Sequence, residues 1–139
     1  DGRSVGYTTL GPEGPGGAAR PNSGTLPWRG TAAGGGYSTV RDLGRFAEAL
    51  RTHKLLDAKH TALLVTGKVS TGQGGGRYAY GFMERSVGGW PVVGHGGGAP
   101  GMNGELLVDL ASGTVVVALA NMDPPAATRV ATFIGNRVR

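Results

Sequence analysis

Clusters of glycine interrupt this chain at positions 16–17, 34–36, 74–76 and 96–98, and 28 of its 139 residues are glycine. This is about three times the usual share in globular proteins. The clusters have no fixed period, which excludes a collagen triple helix, since that structure needs glycine at every third position. Clustered glycines are instead typical of tight or open turns. The sequence therefore predicts a globular domain with several such turns.

The formal charge of +5 raises the question of an anionic partner. The 14 Lys and Arg residues are scattered, and aromatic residues make up only 6% of the chain, too few for a base-stacking platform. We therefore expect a solvated basic surface and no nucleic-acid partner. The longest apolar run, at 115–120, is far shorter than the ~20 residues that cross a bilayer, so no membrane span is expected. Cysteine is absent, which excludes disulfides.

Periodic apolar residues and capping residues predict two helices. Five apolar residues share one face of a helix from 40 to 52: Val40, Leu43, Phe46, Ala47 and Leu50. Thr39 and Asp42 have the spacing of a capping box at its start, with Ser38 as an alternative cap. A second helix is predicted at 58–65 behind an Asp57 cap.

Strand signals follow. Tyr78, Tyr80 and Phe82 alternate with small residues, which predicts a strand that continues to about residue 87. Gly88-Gly89 is a hairpin signal, and further strands are predicted at 91–94, 104–109 and 114–121. Asp123-Pro124-Pro125 then precedes a C-terminal helix. The predicted fold class is α+β: two helices, an antiparallel β-meander and a closing helix.

The prolines and glycines of residues 1–33 predict an extended loop region, and residues 34–139 are predicted to form the folded domain. Leu26 and Trp28 are the large apolar residues near the end of the loop. For Trp28 and Tyr37 we favour packing in the core over lining a cleft. The chain starts at Asp1 rather than Met, which indicates a processed, truncated or excised piece.

The segment from Gly94 to Gly101, with sequence GHGGGAPG, carries the most chemical information. It places the polar side chain of His95 at the end of a predicted strand and follows it with Gly96, Gly97 and Gly98. Such a strand end lets a substrate approach the backbone and exposes N–H groups that can stabilise an oxyanion. A glycine-rich turn with a surface histidine explains the same residues, and the segment alone does not decide between the two.

Two other patterns lack the context that their chemistry needs. Gly2–Gly6 fits Gly-x-Ser-x-Gly, but a nucleophile elbow needs a strand before it and a helix after it. Gly96–Gly101 fits a dinucleotide fingerprint, but Pro100 and the strand that follows leave no helix N-terminus for a pyrophosphate. His53 and His60 lack metal-ligand spacing. We therefore expect no cofactor and no metal.

Four ordered blocks carry a resemblance to a known family. The segment at 33–43 resembles the GAGGLYSTARDLARF block of class C serine β-lactamases and of related esterases and penicillin-binding D-Ala-D-Ala peptidases. Residues 80–82 resemble the YGLGF strand, 95–101 the GHGGGAPGF motif, and 115–121 the VVVLTN strand. Order and spacing match over residues 30 to 139, so the chain resembles the C-terminal part of a serine β-lactamase-like hydrolase.

The resemblance implies the C-terminal portion of a β-lactamase/transpeptidase-like fold and a set of site residues. His95 stands where β-lactamases have the Lys of Lys-Thr-Gly, and it would position a substrate carboxylate or the general-base Tyr. Gly97 would leave room for substrate. Gly98 would donate its N–H to the oxyanion hole.

The family also needs a Ser-x-x-Lys pair and a Tyr-x-Asn, which lie N-terminal to the blocks seen here. No serine of this chain has Lys three residues on, and no tyrosine has Asn two residues on. We therefore expect the chain alone to be catalytically incomplete. Its parent would be a serine hydrolase that forms an acyl-enzyme with β-lactam, ester or D-Ala-D-Ala-type amide substrates. The alternative is a non-catalytic module that binds cell wall or protein.

The resemblance also implies partners and a location. In the family, N-terminal and C-terminal strands share one sheet, so this chain would leave a sheet edge and an apolar face uncovered. We expect it to self-associate or to retain a missing N-terminal half. A small-molecule or peptidoglycan-like substrate and a periplasmic or extracellular location are implied for the parent.

Overall fold

The computed structural model describes residues 2–11, 14–25, 30–72 and 74–138. Eleven helices and strands lie within them: β1 (Tyr7–Thr8), β2 (Arg20–Pro21), α1 (Val40–Arg51), α2 (Ala58–Val65), β3 (Val69–Ser70), β4 (Arg77–Tyr78), β5 (Met83–Val87), β6 (Trp90–Ala99), β7 (Met102–Val108), β8 (Val115–Ala120) and α3 (Ala126–Gly135). The prediction of an α+β fold is confirmed. None of these helices is long and apolar enough to cross a bilayer.

Helices α1 and α2 both begin at the residues that follow their predicted caps. The backbone N–H of Asp42 donates to the Thr39 hydroxyl at 3.1 Å, so Thr39 rather than Ser38 caps α1. The Asp57 carboxylate accepts from the N–H of His60 at 2.8 Å and caps α2. These bonds satisfy N–H groups that have no partner within the helix.

Six strands form one antiparallel sheet in the order β3-β4-β5-β6-β7-β8. Because each strand pairs with the next in sequence, the predicted meander is confirmed. The predicted strand from Tyr78 to Val87 is interrupted, however, and forms β4 and β5. The N–H of Ala79 donates to the Phe82 carbonyl at 2.7 Å, which closes a tight turn between them.

The structure corrects the predicted strand at 91–94. β6 runs from Trp90 to Ala99, so His95 lies in the middle of a strand and the three glycines after it continue the strand. Glycine weakens an isolated strand, but here β7 pairs with β6 as far as Ala99. The packing beneath β6 also needs glycine at alternate positions. A Cβ atom would collide with the Leu106 carbonyl at Gly94, with the Glu105 carboxylate at Gly96 and with the Pro124 ring at Gly98.

The sheet is covered on both faces. Successive residues of β7 point to opposite faces: Leu107 packs with α3, and Leu106 and Val108 pack with Ala47 of α1. The cluster under α3 comprises Val87, Val92, Leu107, Val116, Ala118, Ala127 and Ala131. The cluster against α1 comprises Ala47, Leu106 and Val108. A third cluster joins α1 and α2 through Leu50, Val65, Ala79 and Phe82.

The N-terminal segment is attached to the far end of the sheet. The N–H of Tyr7 donates to the Asn121 carbonyl at 2.8 Å, just beyond β8. The Asp123 carboxylate accepts from the N–H of Thr9 at 2.7 Å and from the N–H of Gly101, in the β6–β7 turn, also at 2.7 Å. Hydrogen bonds from the Thr8 hydroxyl and then from the Thr9 N–H lower the pKa of Asp123 to about 2. One carboxylate therefore holds both the N-terminal segment and the turn after β6. The boundary at residue 33 stays a prediction.

Replacing Leu107 with alanine tests the core under α3. Leu107 is 0% exposed, and a buried Leu→Ala change leaves a cavity that costs about 2–5 kcal/mol of unfolding free energy. The matched control is Leu63→Ala, at a side chain 52% exposed, for which we expect a change within about 0.5 kcal/mol. Urea denaturation followed by circular dichroism measures both. Equal losses at the two positions would contradict this core.

Replacing Asp123 with asparagine tests the attachment of the N-terminal segment. Because the pKa of Asp123 in the folded chain lies below its ordinary value, the carboxylate contributes fully above about pH 4. That contribution is lost as the pH falls through about 2. Asp123→Asn is therefore expected to be less stable than wild type at neutral pH. The difference in unfolding free energy between the two proteins should disappear between about pH 4 and 2. The test is to measure the urea unfolding midpoints of both proteins across this pH range. A difference between the midpoints that does not change with pH would contradict this role of the Asp123 carboxylate.

Candidate active site

One edge of β6 is open over its second half. β5 pairs with β6 only as far as Met83 opposite Gly94, whereas β7 pairs with it through Ala99 opposite Met102. Within the parts of the chain that the structure describes, residues 95–99 thus have a strand neighbour on one side only. An open strand edge presents N–H and C=O groups that a ligand or another chain can reach.

A side chain from β7 orients the peptide between Gly97 and Gly98. The Nδ2 of Asn103 donates to the Gly97 carbonyl oxygen at 2.8 Å. In a planar trans peptide, the Gly97 C=O and the Gly98 N–H point in opposite directions. The carbonyl faces Asn103 on β7, and therefore the Gly98 N–H faces the open edge of β6.

The three site residues predicted from the sequence lie together on this stretch of β6. A Cβ atom on Gly97 would have nothing within 4 Å, so there is open space beside this residue. Gly98 is enclosed on its own face by Pro124. His95 precedes them and is exposed. The chemical roles assigned to His95, Gly97 and Gly98 by the resemblance stay predictions.

Both ring nitrogens of His95 have partners. Its Nδ1 lies 2.6 Å from the Gly96 carbonyl oxygen, and its Nε2 lies 3.1 Å from the Tyr78 hydroxyl oxygen. A carbonyl oxygen can only accept, so Nδ1 carries the proton. In the neutral ring Nε2 is then an acceptor, and the Tyr78 hydroxyl donates to it. The two rings meet edge to face at an interplanar angle of 82°. Tyr78 and the Gly96 carbonyl together fix one tautomer and one orientation of His95.

A cavity of about 500 Å³ opens on the side of the sheet that carries Gly97. Strands β6 to β8, the loop before α1 and the N-terminal segment contribute its walls, among them Gly97, Met102, Gly104, Leu119, Tyr37, Ser38, Asn22 and Asn121. The cavity is large enough for a small organic ligand. On β6 the cavity is lined by Gly97, the residue before Gly98.

Tyr37 lines this cavity and is 56% exposed. The prediction that it packs in the core is therefore wrong. The glycines at 34–36 hold it on a loop ahead of α1, away from the apolar face of that helix. The same prediction for Trp28 concerns a residue outside the described ranges, and Leu26 also lies outside them.

Three residues of this region were not recognised as site residues from the sequence. Tyr78 was interpreted only as part of a strand, and Asn103 and Asp123 were not assigned a function. Their partners lie far away along the chain, so no local pattern marks them. Among the described residues no serine hydroxyl is hydrogen bonded to a lysine, tyrosine or histidine side chain, and no group of His, Asp and Glu could hold a metal ion.

Comparisons with known proteins identify a matching family and two similar folds. The Beta-lactamase family model matches residues 4–137. A penicillin-binding protein from Bacillus halodurans superposes with a TM-score of 0.77 at 26% identity, covering 94% of this chain and 38% of the other. A D-stereospecific amidohydrolase from a Streptomyces species superposes with a TM-score of 0.73 at 23% identity, covering 97% of this chain and 39% of the other. No curated protein is similar enough in sequence to count as a relative.

These comparisons confirm that the fold is the C-terminal part of the β-lactamase/transpeptidase-like fold, as the resemblance predicted. The chain spans well under half of the length of both structural neighbours. The match of the family model extends over nearly all of its residues. The chain therefore belongs to the Beta-lactamase family.

Proposed function

We propose that this chain supplies the oxyanion-binding strand of a serine hydrolase that works through an acyl-enzyme. The observation that carries the proposal is the open edge of β6, where the Gly98 N–H is directed outward beside an oriented His95. When a serine oxygen attacks an acyl carbon, negative charge develops on the carbonyl oxygen. A fixed N–H donor aimed at that oxygen typically lowers the barrier by about 3 kcal/mol.

The remaining parts of the site fit the same reaction. Open space beside Gly97 and the adjoining cavity of about 500 Å³ would receive the acyl portion of a substrate. His95 offers a substrate no free ring nitrogen while Tyr78 donates to it. A substrate group at this edge would therefore bind through the Tyr78 hydroxyl oxygen or displace that hydroxyl from Nε2.

The substrate class follows from the resemblance. Family members with His at position 95 in place of Lys include esterases and peptidases, which favours an ester or a D-Ala-D-Ala-type amide over a β-lactam. One structural neighbour is itself a D-stereospecific amidohydrolase. The attacking serine and its lysine would come from a Ser-x-x-Lys segment outside this sequence, so that this chain alone is catalytically incomplete.

The first test is intact mass spectrometry before and after treatment with a fluorophosphonate probe. This chain should gain no adduct, because none of its serines has the neighbours that would activate it. A commercial serine protease treated in parallel shows that the probe is active. An adduct on any serine of this chain would show that the active site is assigned wrongly.

The same labelling, applied to the longer polypeptide that joins the upstream reading frame to this chain, separates the two candidate functions. A Ser-x-x-Lys in that polypeptide and one adduct on its serine would support the hydrolase. If the upstream frame carries neither catalytic motif, the non-catalytic binding module is the better interpretation.

We also propose that part of the surface is covered by a partner. Within the described residues, β8 pairs along its length with β7 alone. On β8 Leu119 is 43% exposed, and on α3 Phe133 is 58% exposed, next to Val130 and Ile134. An open edge and exposed apolar side chains favour association. A missing N-terminal half, or failing that a second copy of this chain, would cover them.

Association can be measured by light scattering with a dye that binds apolar surface. We expect either a mass above that of the monomer or strong dye binding by the wild type. Phe133→Asp and Leu119→Asp should each lower these signals, because a charge opposes burial of the surface. Leu63→Asp, at a leucine on α2 that is 52% exposed, is the control and should leave them unchanged. A monomeric wild type without dye binding would contradict the proposal.

A further inference from the structure

Two polar residues are buried on the face of the sheet that packs against α3. Asn103 is 7% exposed and Glu105 is 5% exposed, although their neighbours on this face form an apolar cluster. Burial of a polar side chain is costly unless its hydrogen bonds are made. Glu105 pairs with Arg85 and accepts from the Thr128 hydroxyl at 3.0 Å. The contacts of Asn103 are the more informative, because they reach β6.

Asn103 bonds to two backbone groups of opposite kind. Its Nδ2 donates to the Gly97 carbonyl at 2.8 Å, and its Oδ1 accepts from the Thr128 N–H at 3.1 Å, in the first turn of α3. The amide can have only this orientation, because the reverse one would place oxygen against oxygen and N–H against N–H. Pro125 at the start of α3 makes no side-chain capping bond, so Asn103 also takes over that function.

Two interactions act on the peptide between Gly97 and Gly98: the ladder with β7 and the hydrogen bond from the Asn103 side chain. Neither residue has a side chain, and glycine backbones have more conformational freedom than any other. β5 ends before this stretch and gives no support on the open side. The hydrogen bond from Asn103 is the side-chain contact that acts directly on this peptide, and it directs the Gly98 N–H outward.

We propose that Asn103 is a positioning residue for the Gly98 N–H: it holds the Gly97 carbonyl toward β7 and thereby keeps the oxyanion donor aimed at the open edge. The functional meaning of this proposal rests on the proposed function of Gly98. The geometry itself can be tested on this chain whatever reaction the parent catalyses. A side-chain amide donates from its nitrogen and accepts on its oxygen, so asparagine can satisfy the carbonyl and the N–H at the same time.

The test is nuclear magnetic resonance on the labelled full chain. In the wild type we expect a scalar coupling across the hydrogen bond between the Asn103 Nδ2 and the Gly97 carbonyl carbon. We also expect a backbone order parameter at Gly98 of about 0.85, the value of rigid backbone. The coupling needs no variant, and its absence would overturn the proposal.

Variants separate positioning from capping. Asn103→Asp keeps an acceptor for the Thr128 N–H but loses the donor to Gly97, so the order parameter at Gly98 should fall below its wild-type value while α3 stays rigid. Asn22→Asp is the matched control: it removes another buried amide donor, to the Pro100 carbonyl at 2.9 Å, and should leave Gly98 rigid. An unchanged Gly98 in a folded Asn103→Asp protein would mean that Asn103 only caps α3.

These outcomes are distinct from failure of the proposed function. If the coupling and the order parameters behave as expected but no serine in the longer polypeptide is labelled, positioning by Asn103 stands and the hydrolase proposal falls. If the labelling succeeds and the coupling is absent, the hydrolase stands and Gly98 is held by other means.

Discussion

The pairing of β6 with β7 is the interaction on which the rest of the structure depends. It extends from Val93 opposite Val108 to Ala99 opposite Met102, past the point where β5 stops. Three consecutive glycines would not remain extended without a partner strand, because their backbone entropy opposes it. Since β7 supports them from one side only, the chain presents an ordered backbone edge instead of a flexible glycine loop.

The two faces of the sheet support this edge differently. The face toward α1 offers apolar packing further along the strands and leaves open space beside Gly97. The face toward α3 combines an apolar cluster with the buried Asn103 and Glu105, which bond to α3 and to neighbouring strands. Hydrophobic burial is non-directional, so it holds α3 against the sheet without fixing its exact position. The polar contacts are directional and fix the position of α3 relative to β6.

Local signals in the sequence predicted the helices well because Thr39 and Asp57 cap them within three residues. The order of strands was also predictable, since each pairs with its neighbour along the chain. The lengths of the strands around the glycines could not be predicted. The strand predicted to end at Gly94 continues to Ala99 because it pairs with β7, and no local residue preference encodes that pairing. Tyr78 and Asn103 were missed for the same reason. Tyr78 reaches His95 across 17 positions and Asn103 reaches Thr128 across 25.

The alternation along β6 has a consequence for how such a site can change over time. Gly94, Gly96 and Gly98 are each blocked from carrying a side chain by neighbouring atoms of Leu106, Glu105 and Pro124 respectively. Position 97, between them, meets no neighbour within 4 Å where a Cβ would lie, and His95 is exposed. Substitutions that alter chemistry at 95 or add bulk at 97 are thus uncoupled from substitutions that would disturb the core. A strand built in this way can exchange the exposed side chain at position 95 for another without a change at the glycines that pack against their neighbours.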